Sequence, residues 1–153
     1  MPRTIRELSH REDWSIIQRF RIMKRGFVCG AWDLLHAGHI LLLRECAKNC
    51  DFLIVGLHVD PSIERKDKTK PIQSIYERMI QLRGCEYVGL VVVYETEEEL
   101  ETILKSSHLD IRFLGSDYTG KPKTITAEDS VPMKIINRCH KYSSTELRGR
   151  IRK

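Results

Sequence analysis

"GFVCGAWDLLHAGHILLLREC", residues 26–46, followed by "DFLIVGLHVD", residues 51–60, decides how this chain folds. Residues 27–30 read as a short buried strand, a loop runs through Asp33, and a helix is expected over 38–48. Residues 51–60 are apolar almost throughout, as strands are when a parallel sheet is covered on both faces. Strand, loop, helix and strand within about 35 residues make a βαβ unit, whose crossover is right-handed by strong default.

Working outward, the alternation continues. Residues 61–72, "PSIERKDKTKPI", are polar, basic and bracketed by prolines, which predicts a loop. A helix is expected over 74–84, a strand over 90–94, an acidic surface helix over 95–105, strands at 111–115 and 132–137, and a closing helix in "SSTELRGRIRK". The pattern is that of an α/β domain, Rossmann-like, with a mostly parallel five-stranded sheet and helices on both faces. Before it, Ile5, Leu8, Trp14, Ile17 and Phe20 recur at helical spacing, so residues 1–24 are expected to form a helical extension and 25–153 the main domain.

At 153 residues the chain is one domain's worth, with 41% hydrophobic and 31% charged residues. No apolar stretch approaches the roughly 18–20 residues a bilayer span requires. Pro2, Arg3, Arg6 and Glu7 replace the apolar segment of a signal peptide, so a cytoplasmic location is expected. Five cysteines lack the paired short spacings of a zinc ribbon, and Cys46 and Cys50, four apart on the expected helix, read as small buried thiols. The net charge of +5 favours anionic partners. It is concentrated in the N-terminal arm and in Arg65, Lys66, Lys68 and Lys70. A nucleic-acid-binding module is the rival class, but 7% aromatic content and no recognisable binding motif weigh against it, and no nucleic-acid partner is expected.

The chemistry gathers after the first strand. In an open α/β sheet, ligands bind beyond the carboxyl ends of the strands, near the point where strand order reverses. Gly30 there lets backbone approach a ligand, and Gly38 keeps the space between His36 and His39 open. Residues three apart share a helix face, so both imidazoles point the same way at a helix N-terminus, which attracts anions. A metal reading needs a further ligand, for which Asp33 is nearest; Asp33 is also a candidate helix cap. Far along the chain, Ser143, Ser144 and Thr145 begin the last helix and form a second anion cradle, with Glu146 placed to close a capping box. The basic loop then reads as a lid in which Lys66 and Lys68 neutralise phosphate charge.

"GAWDLLHAGH" (30–39) resembles the G-T-F-D-x-x-H-x-G-H signature of the HxGH nucleotidyltransferases, the cytidylyltransferases in particular. "LGSDY" (114–118) and "RCHKYSSTEL" (138–147) resemble two further motifs of that family, in the same order. The likeness covers residues 26–151 and is nearest to glycerol-3-phosphate and ethanolamine-phosphate cytidylyltransferases; the heptose-phosphate adenylyltransferase domain is also similar. It implies that the phosphate of a small phosphomonoester attacks the α-phosphorus of CTP and releases pyrophosphate, with glycerol 3-phosphate or another polyol or sugar phosphate as acceptor. The alternative is ATP with a sugar phosphate such as heptose phosphate, suggested by "KPI" before "ER" and by "GSDYT"; "SSTELR" also resembles the S-S-T-x-x-R of pyridine-nucleotide adenylyltransferases, with Arg148 on the triphosphate. The resemblance assigns His36, His39, Lys66 and Lys68 to catalysis. It assigns Gly30, Ala31, Trp32, Asp33, Gly38, Gly115, Asp117, Arg138, Ser143, Ser144 and Thr145 to the nucleotide, and Arg78 to the acceptor phosphate. Mg²⁺ is expected through the triphosphate, and a homodimer is implied.

Four residues depart from the family pattern. Ala31 stands where threonine is usual, Trp32 where phenylalanine is, Glu86 where an arginine is frequent, and Lys141 where the last motif has glycine. They put the first loop, acceptor recognition and the last turn in question.

Overall fold

The computed structural model describes residues 18, 22–116 and 131–152; Asp117 and most of the 1–24 extension lie outside them. The elements follow the expected order: β1 (Arg25–Gly30), α1 (Ala37–Ala47), β2 (Phe52–His58), α2 (Ile75–Arg83), β3 (Leu90–Tyr94), α3 (Glu97–Ser106), β4 (Ile111–Gly115), β5 (Met133–Ile136) and α4 (Ser144–Ile151). Each helix starts where a side chain can accept a first-turn N–H. Ser74 and Glu77 form a reciprocal capping box on α2, Thr96 caps α3 through the Glu99 N–H, and Ser143 caps α4 through the Glu146 N–H. The box expected at α4 is only half made, because Glu146 faces Arg150 at 3.8 Å instead.

The five strands form one sheet in the order β3-β2-β1-β4-β5, and every pairing is parallel. Alternation along the strands divides the core. Val28, Val55, Leu57 and Val91 pack with Leu43 and Cys46 of α1 and Leu82 of α2. Phe27, Ile54 and Tyr94 pack on the other face with Leu100 and Leu104 of α3. Phe27 and Leu43 are fully buried, each contributing about 1.5–3 kcal/mol of hydrophobic stabilisation. Helix α1 stops at Ala47, so Cys50 lies beyond it; its thiol donates to the Cys46 carbonyl at 3.4 Å, and all five thiols are free. No helix among the described residues is long and apolar enough to cross a membrane.

The chain steps outward from β1 to β2 to β3, then returns across β1 to place β4 on its other side. Strand order therefore reverses between β1 and β4. The loop after β1 carries the two histidines and the loop after β4 carries Ser116, so both motifs open onto this switch point.

Candidate active site

The loop from β1 to α1 is held in an uncommon backbone shape. Trp32 and Leu34 both adopt left-handed conformations, with φ of 52° and 51°. Bulky residues rarely accept this, and it persists only where surrounding contacts enforce it. Those contacts are present. The Trp32 indole is buried and donates to the Gly56 carbonyl at 3.0 Å, and the Leu34 N–H donates to the Gln73 side chain at 2.7 Å. Asp33 is the hub: its carboxylate accepts the N–H groups of Ile72 (3.0 Å) and Gln73 (2.9 Å) and pairs with Arg148 of α4 at 2.6 Å. Burial would raise its pKa, but the two N–H groups and the guanidinium outweigh that and hold the carboxyl below its ordinary value. The Ser144 hydroxyl closes the knot by donating to the Asp33 carbonyl at 3.2 Å.

His36, rather than Asp33, caps α1. Its Nδ1 accepts the Gly38 N–H at 3.0 Å, while the Nδ1 of His39 accepts the His36 N–H at 3.4 Å. The pair is a capping box made of imidazoles, with the rings stacked 3.9 Å apart. Because each Nδ1 accepts, each neutral ring carries its proton on Nε2. Burial pushes the His39 pKa down to about 3, helped by the charge of His36, and burial followed by the charge of Arg138 lowers His36. Both rings are therefore neutral Nε2–H donors near pH 7. Two first-turn N–H groups expected to meet an anion directly, those of Gly38 and His39, are satisfied by His36 itself, through its Nδ1 and its carbonyl. The imidazoles present the donors instead.

These rings open on a cavity of about 730 Å³ between α1, the ends of β4 and β5, and the start of α4. Its wall includes His36, Gly38, His39, Gly115, Ser116, Arg138, His140, Tyr142, Ser143 and Ser144, and it continues down α1 to Arg44, Glu45, Asn49 and Lys134. Gly38 is required by packing: a Cβ there would stand 2.8 Å from the Tyr142 carbonyl and 2.8 Å from the His36 ring. The Arg138 guanidinium donates to the same Tyr142 carbonyl and its N–H to the Ser116 hydroxyl, which ties the end of β5 to the end of β4.

Residues 27–150 match the model of the cytidylyltransferase-like family. The chain belongs to that family. It is 39% identical over 114 residues to the bifunctional protein HldE of Caulobacter vibrioides, covering 74% of this chain and 23% of that protein. It is 34% identical over 127 residues to the HldE of Campylobacter fetus, covering 82% and 27%. The chain thus spans about a quarter of the length of the curated relatives it matches. A lipopolysaccharide core biosynthesis protein from Thermoplasma volcanium superposes with a TM-score of 0.61 at 25% identity, over 79% of this chain and 99% of that one. These likenesses place the chain among the nucleotidyltransferases.

Within this cytidylyltransferase-like domain, His36, His39, Gly38, Gly115, Arg138, Ser143 and Ser144 line one cavity. Other expected residues do not line it. Trp32 belongs to the core, and the Ala31 carbonyl accepts from Arg78. A Cβ on Gly30 would meet the Trp32 indole at ordinary contact distance, and Thr145 is exposed off the wall. Lys66 and Lys68 are exposed on a loop whose Arg65 and Glu64 dock on the start of α3, at the carboxylate and N–H of Glu97.

Arg78 differs most from its expected role. It is 2% exposed, and its guanidinium donates to the carbonyls of Ala31 (2.8 Å), His58 (2.8 Å), Val59 (2.7 Å) and Gln73 (3.1 Å). It clamps the carboxyl ends of β1 and β2 to α2, because a buried cation needs acceptors on every side.

The departures from the family pattern also resolve. Glu86 is exposed and lines a small cavity with Phe52, Leu53 and Gly89, where β2 and β3 begin, at the opposite end of the sheet. Lys141 has no left-handed φ, so its turn does not demand glycine. Sequence reasoning passed over His140 and Tyr142, although both stand inside "RCHKYSSTEL". Asn49 and Lys134 gave no signal at all.

Proposed function

We propose that this domain transfers an adenylyl group from ATP to the phosphate of a sugar phosphate, heptose phosphate being the leading candidate, and releases pyrophosphate. The observation that carries nucleotidyl transfer is the imidazole capping box, which sets two neutral histidine rings in the wall of a cavity that reaches the start of α4. The choice of ATP is supported by the HldE relatives, by "SSTELR" with Arg148 one contact from the histidine loop, and by "KPI" and "GSDYT". A sugar-phosphate acceptor accords with the lipopolysaccharide core biosynthesis protein among its structural relatives.

The chemistry needs no general base. A phosphomonoester has a second pKa near 6 and is already a dianionic nucleophile at neutral pH. The protein must hold two repelling anions in line and stabilise charge growing on the bridging oxygen. His36 and His39 suit the second task, since fixed neutral donors in a half-buried site need no reorganisation. Mg²⁺, when present, neutralises triphosphate charge. The site's own groups do not suit a metal: both oxygens of Asp33, the carboxylate in the loop, are taken by N–H donors, so Mg²⁺ would be held by phosphate oxygens. The second reading, CTP with glycerol 3-phosphate, is favoured by Arg138 in the cavity wall, at the spacing from Ser143 that resembles the cytidylyltransferases.

The deciding experiment measures pyrophosphate release with Mg²⁺, each of the four nucleoside triphosphates and a panel of phosphomonoesters. ATP with a heptose phosphate should give the highest kcat/KM; CTP with glycerol 3-phosphate leading would transfer the assignment to the second reading. No release with any pair would overturn nucleotidyl transfer. His39→Gln should lower kcat by about 10²–10³ with the fold intact.

A further inference from the structure

The histidine loop is braced by a residue that is not in the cavity wall. Leu34 stands two residues before His36 and holds a left-handed φ of 51°, a conformation its side chain disfavours. Its N–H donates to the side-chain oxygen of Gln73 at 2.7 Å, across 39 residues of sequence. The Gln73 N–H donates to the Asp33 carboxylate at 2.9 Å, and the Gln73 carbonyl accepts from the Arg78 guanidinium at 3.1 Å. Gln73 therefore grips two successive residues of the loop, Asp33 through its backbone and Leu34 through its side chain. Half-buried, it does not line the cavity, so it acts on the site through the loop.

The neighbours of Leu34 have other holds. The Trp32 indole is tied to the Gly56 carbonyl, and the Asp33 carboxylate also accepts the Ile72 N–H and pairs with Arg148. At Leu34 the hold is the Gln73 amide. A rotation there changes the direction in which the chain enters α1, whose N-cap is His36. That residue keeps an extended backbone, φ −137° and ψ 173°, which brings its Nδ1 to the Gly38 N–H at 3.0 Å and its own N–H to Nδ1 of His39. The second bond is already long at 3.4 Å, and a small turn of the His36 peptide breaks it. The bond at Leu34 thus decides how both rings are set in the wall.

We propose that Gln73 is a positioning residue for the histidine pair: its side-chain oxygen fixes the Leu34 peptide and, through it, the placement of His36 and His39 at the cavity. This rests on the nucleotidyl-transfer reading and deepens it.

Gln73→Met tests it, because the change removes the acceptor oxygen while keeping the side chain's length and both backbone bonds. The assay is pyrophosphate release with Mg²⁺, ATP and a heptose phosphate, or with CTP and glycerol 3-phosphate should that pair lead. The variant should lower kcat by about 10–100-fold, the scale of a catalytic group displaced by about an ångström, with the nucleotide KM changed by about threefold or less. In a His39→Gln background the same change should cost about threefold or less, since residues that act as one unit do not add. In the unliganded chain the imidazole resonances of His36 and His39 should move, while those of His108, exposed beyond α3, stay in place. Should Gln73→Met fail to fold, Gln73→Asn, polar but one methylene too short to reach Leu34, carries the same expectations. A kcat equal to wild type, histidine resonances that do not move, or a loss of full size in the His39→Gln background overturns the inference and leaves nucleotidyl transfer standing. Wild type that releases no pyrophosphate overturns the transfer reading instead, and the resonances still decide whether Gln73 sets the two rings.

Discussion

The two flanks of the histidine loop are built on different principles. Towards β4 and α4, side chains expected to meet a nucleotide converge on one cavity, and what fixes them is local: His36 and His39 are held by the helix they cap, and Ser143 by the one it caps. Towards β2 and α2, the cations expected to meet phosphate are engaged elsewhere. Arg78 grips carbonyls beneath the loop, and the segment carrying Lys66 and Lys68 is docked on α3 through its neighbours Glu64 and Arg65. The contrast teaches that this protein presents fixed donors to a cavity on one side and a scaffold built around a buried cation on the other.

The largest expected effect tests the scaffold side. Arg78→Met keeps the bulk of the side chain but leaves four buried or half-buried carbonyls without their donor. We expect a loss of about 3–5 kcal/mol, in the range found for breaking buried charge networks. Arg78→Lys should recover little, since an ammonium on a flexible stem does not reproduce a fork reaching three strand and helix ends. Urea midpoints at pH 7.5 measure it. A variant that loses under about 1 kcal/mol, yet releases pyrophosphate a hundredfold more slowly, would break the comparison and return Arg78 to the acceptor phosphate that the family resemblance implies.

The second effect tests the fixed-donor side through pH. The His39 pKa falls from 6.5 to about 3 on folding, and that of His36 also falls. Below pH 6.5 the unfolded chain therefore binds protons that the folded chain refuses. Stability should be flat above about pH 7.5 and fall as pH drops towards 3, by at most about 1.4 kcal/mol per pH unit from His39. Asp33 has a depressed pKa, so its contribution is lost only below about pH 4, in a separate window. Denaturation midpoints between pH 5 and 8 should slope for wild type and less for His39→Gln. Identical slopes would mean that the capping box does not hold His39 neutral.

This division explains what the sequence alone could disclose. The order of strands and helices follows from apolar runs and capping residues, which are local, and the observed elements keep that order from residue 25 onward. Gly38 was legible because only a residue without a side chain fits between His36 and the Tyr142 carbonyl, although the crowding neighbour lies a hundred residues away. His140 was hidden for the converse reason: nothing in its local pattern distinguishes it, and only the approach of the β5–α4 turn to α1 brings it to the cavity wall. The setting of Arg78 was not legible because a lone arginine on a helix gives no sign of pointing inward. Its acceptors, Ala31, His58 and Val59, come from two strand ends that only the fold brings together.

The smallest effect concerns the lysine loop, where the two flanks could yet prove alike. Lys66 and Lys68 are exposed and absent from the cavity wall, while Ile72 and Gln73 at the loop's far end are pinned to Asp33. A loop fixed at that end and docked on α3 can still raise the local concentration of a polyanion through its field. That role predicts a particular pattern in Lys66→Ala with Lys68→Ala. Together they should lower kcat/KM by about tenfold or less at low salt, leave kcat nearly unchanged, and lose their effect as ionic strength shortens the screening length to a few ångströms near 1 M. His39→Gln should show the opposite signature, a kcat defect that salt does not relieve. Should the double variant instead lower kcat a hundredfold at every salt concentration, the loop must leave α3 and close on the reacting phosphates. The Arg65–Glu97 pair would then be the latch that opens, and Glu97→Gln, which weakens it, should raise kcat/KM rather than leave it unchanged.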